Sequence, residues 1–530
     1  MKKVLGSSVG AMAIMVLIVA VSAGASPNIL LILADDLGYG DVGCYNPESR
    51  VPTPHLDRLA AEGMRFTDAH SPSTVCTPSR YSILTGRMCF RTGYRGVFVG
   101  VGGPSLIAES QLTLPQLLRD HGCATACVGK WHVGMTFTTH DGRPAHAVPI
   151  EVESPADWRE GGPALERVRR TDFSRPIPDG PIHRGFDYFF GTACCPTTDW
   201  LYAFIEQDQV VVAPTGQLER THLPRHAYSH DNRRGLIAPG YDLETVDLEF
   251  LAKSKAWLEQ HVQERPNQPF FLFHSMQAVH LPSFPAPRFQ CATEAGPHGD
   301  FIFEMDQIVG ELLATLDQLG VADDTVVIFA SDNGPEVSTT VHMRQDQRHD
   351  PARPWRGMKR DDWEGGHRTP LIVRWPGRVA AGVVSDELTS LTDLMATCAA
   401  ICSVQLPADA AEDSFNLLPA WLGEVGDAPI RPYLLQQTIS LAMSIRAGNW
   451  KLLDHRGSGG NNYERNAELQ PYILPESAPD AEAQLYDLDA DPGETRNLIN
   501  ERPEVAARLR GVLELAKERG RHAFESNSLE

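Results

Sequence analysis

Two uninterrupted apolar runs, Asn28–Ala34 and residues 325–330, constrain this chain more than any other feature. Neither alternates with polar residues, so both faces of each strand must be covered, as in a mostly parallel sheet flanked by helices. The first run ends in Asp35-Asp36-Leu37-Gly38 and the second in Ser331-Asp332-Asn333-Gly334. Open α/β sheets keep their sites at the carboxyl ends of such strands. Adjacent aspartates repel one another, and a cation is a natural reason to place them together. Asp35, Asp36, Asp332 and Asn333 offer four hard oxygen ligands, a set that suits calcium or magnesium. The competing reading is an exposed turn, because Asp-Asn-Gly is also a good turn signal.

Between these strands, residues 76–87 read Cys-Thr-Pro-Ser-Arg-Tyr-Ser-Ile-Leu-Thr-Gly-Arg. Pro78 suits the first turn of a helix, and Gly86 can end it. Cys76 then lies at a helix N-terminus, where free N–H groups and the dipole favour an anion. Arg80, one turn on, adds a fixed positive charge on the same face. A cysteine so placed is an acidic, reactive thiol. The bland alternative is a buried cysteine followed by a short helix.

The motif Cys-x-Pro-Ser-Arg-x-x-x-Leu-Thr-Gly-Arg resembles the signature of type I sulfatases, of the arylsulfatase and N-acetylgalactosamine-6-sulfatase kind. That resemblance implies an alkaline-phosphatase-like α/β fold: a large domain with a mostly parallel sheet, then a smaller C-terminal domain with a short antiparallel sheet and terminal helix. It implies that Cys76 is oxidised to formylglycine by a dedicated formylglycine-generating enzyme. It also implies that Asp35, Asp36, Asp332, Asn333 and residue 76 bind one metal ion, calcium before magnesium. Gly129-Lys130-Trp131-His132 resembles a second family signature, although Cys123 stands where Tyr or Val is usual. His280-Leu281-Pro282 and Lys359, followed by Glu364-Gly365-Gly366-His367-Arg368-Thr369-Pro370, resemble further family segments in the expected order.

By the same resemblance, Asp332 takes the proton of the attacking hydroxyl while Lys130, Lys359 and the metal hold the sulfate oxygens and offset charge. His280 protonates the departing alcohol, and His132 takes the proton of the second hydroxyl of the hydrated aldehyde at residue 76 to expel sulfate. The implied function is a sulfuric ester hydrolase acting on a sulfated carbohydrate or an aryl sulfate. Two alternatives stay open: a phosphate or phosphonate ester hydrolase of the same superfamily, and a non-catalytic binder of sulfated glycans if Cys76 stays a thiol. Asp199, Trp200 and Tyr202 are expected at the rim, where an aromatic beside a carboxylate can grip a sugar.

Lys2, Lys3, an apolar stretch at 11–21 and Ala23-Gly24-Ala25 read as a signal peptide over residues 1–25. Export to the periplasm or the exterior follows, and the apolar stretch is too short for stable membrane insertion. The expected division is 26–425 for the catalytic domain and 426–530 for the C-terminal part, where short strands near 432–437, 441–446 and 450–453 precede an amphipathic helix at 503–519. Helices are expected at 54–59, 243–262 and 301–319, with strands at 270–273 and 371–375. The polar stretches 136–179 and 341–354 are expected to be irregular. A formal charge of −21 argues against nucleic acid as a partner. The ten cysteines have no spacing that dictates a disulfide framework, and Cys398 and Cys402 read as core.

Overall fold

The computed structural model describes residues 26–150, 161–426 and 428–524. The expected signal peptide lies outside the described residues. Its centre is a ten-stranded sheet formed by β1 (Asn28–Ala34), β2 (Met64–Phe66), β3 (Ala124–Lys130), β4 (Tyr188–Thr192), β5 (Ile205–Glu206), β6 (Gln209–Val210), β7 (Phe270–Ser275), β8 (Thr325–Ser331), β9 (Leu371–Arg374) and β10 (Val383–Ser385). The spatial order is β10-β2-β9-β8-β1-β7-β3-β4-β5-β6. β8, β1, β7, β3 and β4 run parallel, while β9 turns antiparallel to β8 and β5 antiparallel to β4.

β1 lies between β7 and β8, with Leu31 opposite Phe273 on one side and Ile328 on the other. Ile29 to Leu33 are buried, as a strand covered on both faces requires. Because β1, β7, β8 and β3 are parallel neighbours, their carboxyl ends emerge side by side. Residues 35–36, 276–280, 332–333 and 130–132 therefore open onto one sheet edge.

Helices α1 (Pro54–Glu62), α2 (Cys76–Thr85), α3 (Leu114–Asp120), α4 (Val246–Glu264), α5 (Gly296–Gln318) and α6 (Leu394–Ile401) cover the sheet. α5 packs with α1 and α4, whereas α2 packs with α3 and α6. The expected α5 start at Phe301 is five residues late, because Pro297 and Gly299 disguise a first turn whose His298 and Asp300 are buried and hydrogen-bonded.

The expected irregular stretch 341–354 is helical at its start, through Val337–His342 and a wide turn at Met343–Gln347. Within 136–179, a short helix spans Gly162–Arg169, while residues 151–160 lie outside the described set. Downstream, β11 (Leu434–Gln437), β12 (Met443–Ala447), β13 (Trp450–Leu453) and β14 (Gln484–Asp487) make an antiparallel sheet. Helix α7 (Pro503–Arg519) closes it, burying Leu509 and Leu513 in a cluster with Ile445 and Leu452. None of the ten cysteines is in a disulfide, and Cys398 is buried as core. No helix among the described residues is long and apolar enough to cross a membrane.

Candidate active site

Helix α2 carries Cys76 to the sheet edge. Cys76 is its first residue, Pro78 lies in its first turn, and Gly86 caps it at φ 64°. All ten helical residues are buried, which is why the helix shows no polar face. Cys76 is 2% exposed and stands where β1, β8 and the segment after β7 converge. A ligand atom from each of Asp35, Asp36, Cys76 and His280 lies within 4.8 Å of the others.

Arg80 knits this edge together. Its Nε donates to Asp332 Oδ2 at 2.9 Å, and its Nη1 donates to the Lys130 carbonyl at 3.1 Å and to Ser275 Oγ at 2.5 Å. Its Nη2 lies 3.4 Å from Asp35 Oδ2. Lys130 at the end of β3 donates to the same Asp35 oxygen. Burial alone would lower the Lys130 ammonium, but the Asp35 carboxylate raises it well above its ordinary value. The Lys359 ammonium lies 2.6 Å from Asp36 Oδ1 and 2.7 Å from Oδ2. Arg80, Lys130, Lys359 and Arg360 all feel the Cys76 sulfur electrostatically, so cations surround it.

Two side-chain oxygens on this edge are buried and accept nothing: Asp35 Oδ1 and Asn333 Oδ1. The Asn333 amide is oriented by its own donors, since Nδ2 donates to Asp36 Oδ1 at 2.7 Å and to the Gly334 carbonyl at 2.9 Å. Buried oxygens without donors are costly unless a cation takes them. With Asp36, they form an oxygen-rich donor set that fits a hard divalent ion. Asp332 Oδ1 accepts the Asp36 N–H at 3.2 Å. Burial and the neighbouring Asp35 push the Asp332 carboxyl up to about 6, against the pull of Arg80.

The two histidines are held in opposite states. His132 donates through Nε2 to the Phe98 carbonyl at 2.8 Å, which leaves Nδ1 as a buried lone pair without a partner. Burial, then Lys130, keeps it neutral by holding it well below its ordinary value. His280 uses Nδ1 to donate to the Leu281 carbonyl at 2.6 Å and turns Nε2 toward Asp36 Oδ2 at 3.6 Å. Burial and Lys359 push its pKa down, but Asp36, Cys195 and Asp35 prevail and raise it well above the usual imidazole range.

A cavity of about 130 Å³ opens at Cys76, lined also by His132, His280 and Lys359. Its apolar wall is Val97, Phe98, Val99 and Ile439. Of the expected rim residues only Asp199 lines it; Trp200 and Tyr202 are buried supports, 5% and 0% exposed. Sequence reasoning missed Cys195, Asp231, Arg233, Glu336 and Arg360, all of which line the cavity. Arg360 forks onto Glu336 at 2.7 and 2.8 Å, a pair 24 positions apart with no motif to announce it. Asp36, His132, Asp231 and Arg360 all hold left-handed backbone, φ 58° to 79°, the kind of strain that collects at functional sites.

The sulfatase family profile matches residues 27–403. An N-acetylgalactosamine-6-O-sulfatase of Bacteroides thetaiotaomicron is 33% identical, with 93% of each chain covered. Human arylsulfatase A is 31% identical across 91% of this chain and 86% of its own. A solved structure described under glycosaminoglycan metabolism by Bacteroides thetaiotaomicron superposes with a TM-score of 0.76 at 31% identity, over 93% of this chain and all of that one. Likeness sustained over nearly the whole length, with the helix that begins at Cys76 and the acidic strand ends in place, makes this chain a member of the sulfatase family and a sulfuric ester hydrolase.

Proposed function

We propose that this protein is an exported carbohydrate sulfatase that removes sulfate from the end of a sulfated saccharide, with residue 76 as nucleophile once its thiol has been converted to formylglycine. The observation that carries the reading is the placement of Cys76 at the start of a buried helix, on the floor of a small cavity and encircled by Arg80, Lys130, Lys359 and Arg360. The cavity, about 130 Å³, is smaller than the usual ligand cleft of roughly 300 Å³ or more, so it suits a chain end and not a strand threaded through. The names of the relatives support both a sugar and an aryl ester as the sulfate carrier.

Asp35, Asp36, Asp332, Asn333 and residue 76 would hold one divalent ion, calcium in preference to magnesium. When bound, such an ion supplies Lewis-acid charge that lowers the pKa of a nearby hydroxyl and offsets the charge on sulfate. The chain's own groups divide the remaining work. Asp332 receives the proton of the attacking hydroxyl. Lys130 and Lys359 bring ammonium charge to the sulfate oxygens, and Arg80 fixes Asp332 and the Lys130 backbone in place. His280 gives a proton to the departing alcohol through Nε2, the nitrogen it turns toward Asp36. His132, with its free Nδ1 lone pair, takes the proton whose loss expels sulfate. Opposite protonation of two groups in one pocket is the usual mark of an acid and a base.

Export is supported by the charged and apolar leader at residues 1–25, and conversion of Cys76 calls for a formylglycine-generating enzyme as maturation partner. The test has two arms. Mass analysis of the tryptic peptide spanning residues 66–80, from natively produced protein, is expected to show the aldehyde; an unmodified thiol points to a binder. Sulfate release from sulfated glycosaminoglycan and algal oligosaccharides, beside nitrophenyl sulfate, is expected to favour a saccharide; cleavage of the aryl ester alone overturns the sugar assignment.

A further inference from the structure

The reaction leaves one guanidinium at the cavity mouth without work. Lys359 is engaged by Asp36, and Arg360 by Glu336. His280 faces Asp36, and His132 is neutral. Arg233 differs. It is half-buried and lines the cavity, and among the described residues no carboxylate reaches ion-pair distance of its guanidinium, although Asp199 feels its charge from farther off. Its guanidinium carbon lies 5.4 Å from the ring centroid of Trp200.

The segment beneath it is held firmly. The Tyr202 hydroxyl donates to the Arg233 carbonyl at 2.8 Å, while the Arg233 and Asp199 N–H groups both reach that hydroxyl at 3.3 Å. Asn232 Nδ2 donates to the Thr197 carbonyl at 3.0 Å. Buried Tyr202 therefore fixes the Arg233 backbone, and buried Trp200 lies beside its guanidinium.

A guanidinium backed by an indole and partly withdrawn from water is suited to a two-point bond with an incoming anion. The sulfate under attack belongs to the cavity floor, around residue 76. Asp199 and Asp231, on the same wall as Arg233, have the acceptor chemistry for sugar hydroxyls. We infer that Arg233 receives a second anionic group of the substrate, a uronate carboxylate or a second sulfate, and so sets a preference for doubly charged sulfated saccharides. This rests on the carbohydrate reading above and narrows it.

The test measures kcat/KM by sulfate release from three probes: a hexosamine monosulfate, the same sugar joined to a uronic acid, and the same sugar carrying a second sulfate. The formylglycine-bearing enzyme is expected to favour one dianionic probe over the monosulfate by about 10- to 100-fold, chiefly through KM. The favoured probe tells carboxylate from sulfate. Arg233→Gln is expected to erase that ratio and Arg233→Lys to keep part of it, with thermal melts checking the fold. Added salt is expected to shrink the wild-type ratio, a readout independent of whether the Gln variant folds. A wild-type enzyme with no dianion preference, a ratio indifferent to salt, or a folded Gln variant that keeps the ratio overturns the proposal. If no saccharide is cleaved while nitrophenyl sulfate is, the carbohydrate reading itself falls.

Discussion

Arg80 and Asp332 meet on a single oxygen: Nε donates to Oδ2 at 2.9 Å and Nη2 lies at the same distance as an ion-pair contact, leaving Oδ1 to accept the Asp36 N–H. One side chain of α2 thereby fixes the end of β8 and, through Nη1, the ends of β3 and β7. Arg80→Ala strands a buried carboxylate and is expected to cost about 3–5 kcal/mol in chemical denaturation. Arg80→Lys restores charge but cannot reach Asp332, the Lys130 carbonyl and Ser275 together, as the guanidinium does. We expect it to recover part of that stability while kcat stays about 100-fold down, and a Lys variant with wild-type kcat would remove Arg80 from the catalytic frame.

Asn333 is the clean probe of the metal proposal, because its Oδ1 is buried without a donor. Calcium at about 100 times its Kd is expected to stabilise the metal-stripped wild type by about 3 kcal/mol, read as a rise in Tm. Asn333→Leu is expected to fold and to lose most of that rise. An undiminished calcium shift in this variant would take Asn333 out of the ligand set.

Much of this site was legible because continuous apolar runs reveal where covered strands end, and parallel pairing then gathers those ends. Asp35, Asp36, Asp332 and Asn333 were readable for that reason, and Cys76 because Pro78 and Gly86 bracket a helix. Glu336, Arg360 and Arg233 were not. Arg and Glu in polar loops look alike whether solvated or ion-paired, and the left-handed turn at Arg360 has no glycine to mark it. Trp200 misled because an indole beside a carboxylate reads the same whether it grips a ligand or backs an arginine.

Gly129 sets a packing limit beside Lys130. Its φ is 121°, and a Cβ there would lie 1.8 Å from the Ser275 carbonyl oxygen of the neighbouring strand. Gly129→Ala must move backbone on β3 or β7, and both carry site residues. A loss of roughly 3 kcal/mol is expected, with activity falling in the fraction that still folds. A Tm within a degree or two of wild type would contradict this.

Asp247, in the first turn of α4, accepts the N–H groups of Gln277 at 2.8 Å and Ala278 at 3.0 Å, on the segment leading to His280. Burial pushes its carboxyl up to about 7, outweighing those two hydrogen bonds. A raised folded-state pKa means stability that is full below the ordinary carboxylate value of 3.8 and is lost as pH rises toward 7. Compared with Asp247→Asn, the wild type should lose up to about 4 kcal/mol between about pH 4 and pH 7, then run parallel. Denaturation of both proteins across that range checks it, and a constant difference would refute the assignment.

The burial of all ten residues of α2 sets a deadline. With Cys76 only 2% exposed beneath the ends of β1 and β8, no second enzyme can close its own active site around that sulfur in the finished fold. A catalyst that rewrites residue 76 must win a race against folding, meeting the segment while it is still extended. Chains that fold first are locked out for good. If residue 76 is converted as proposed, a preparation is a mixture fixed at synthesis, its specific activity recording how the nascent chain was handled, not how the purified protein was stored.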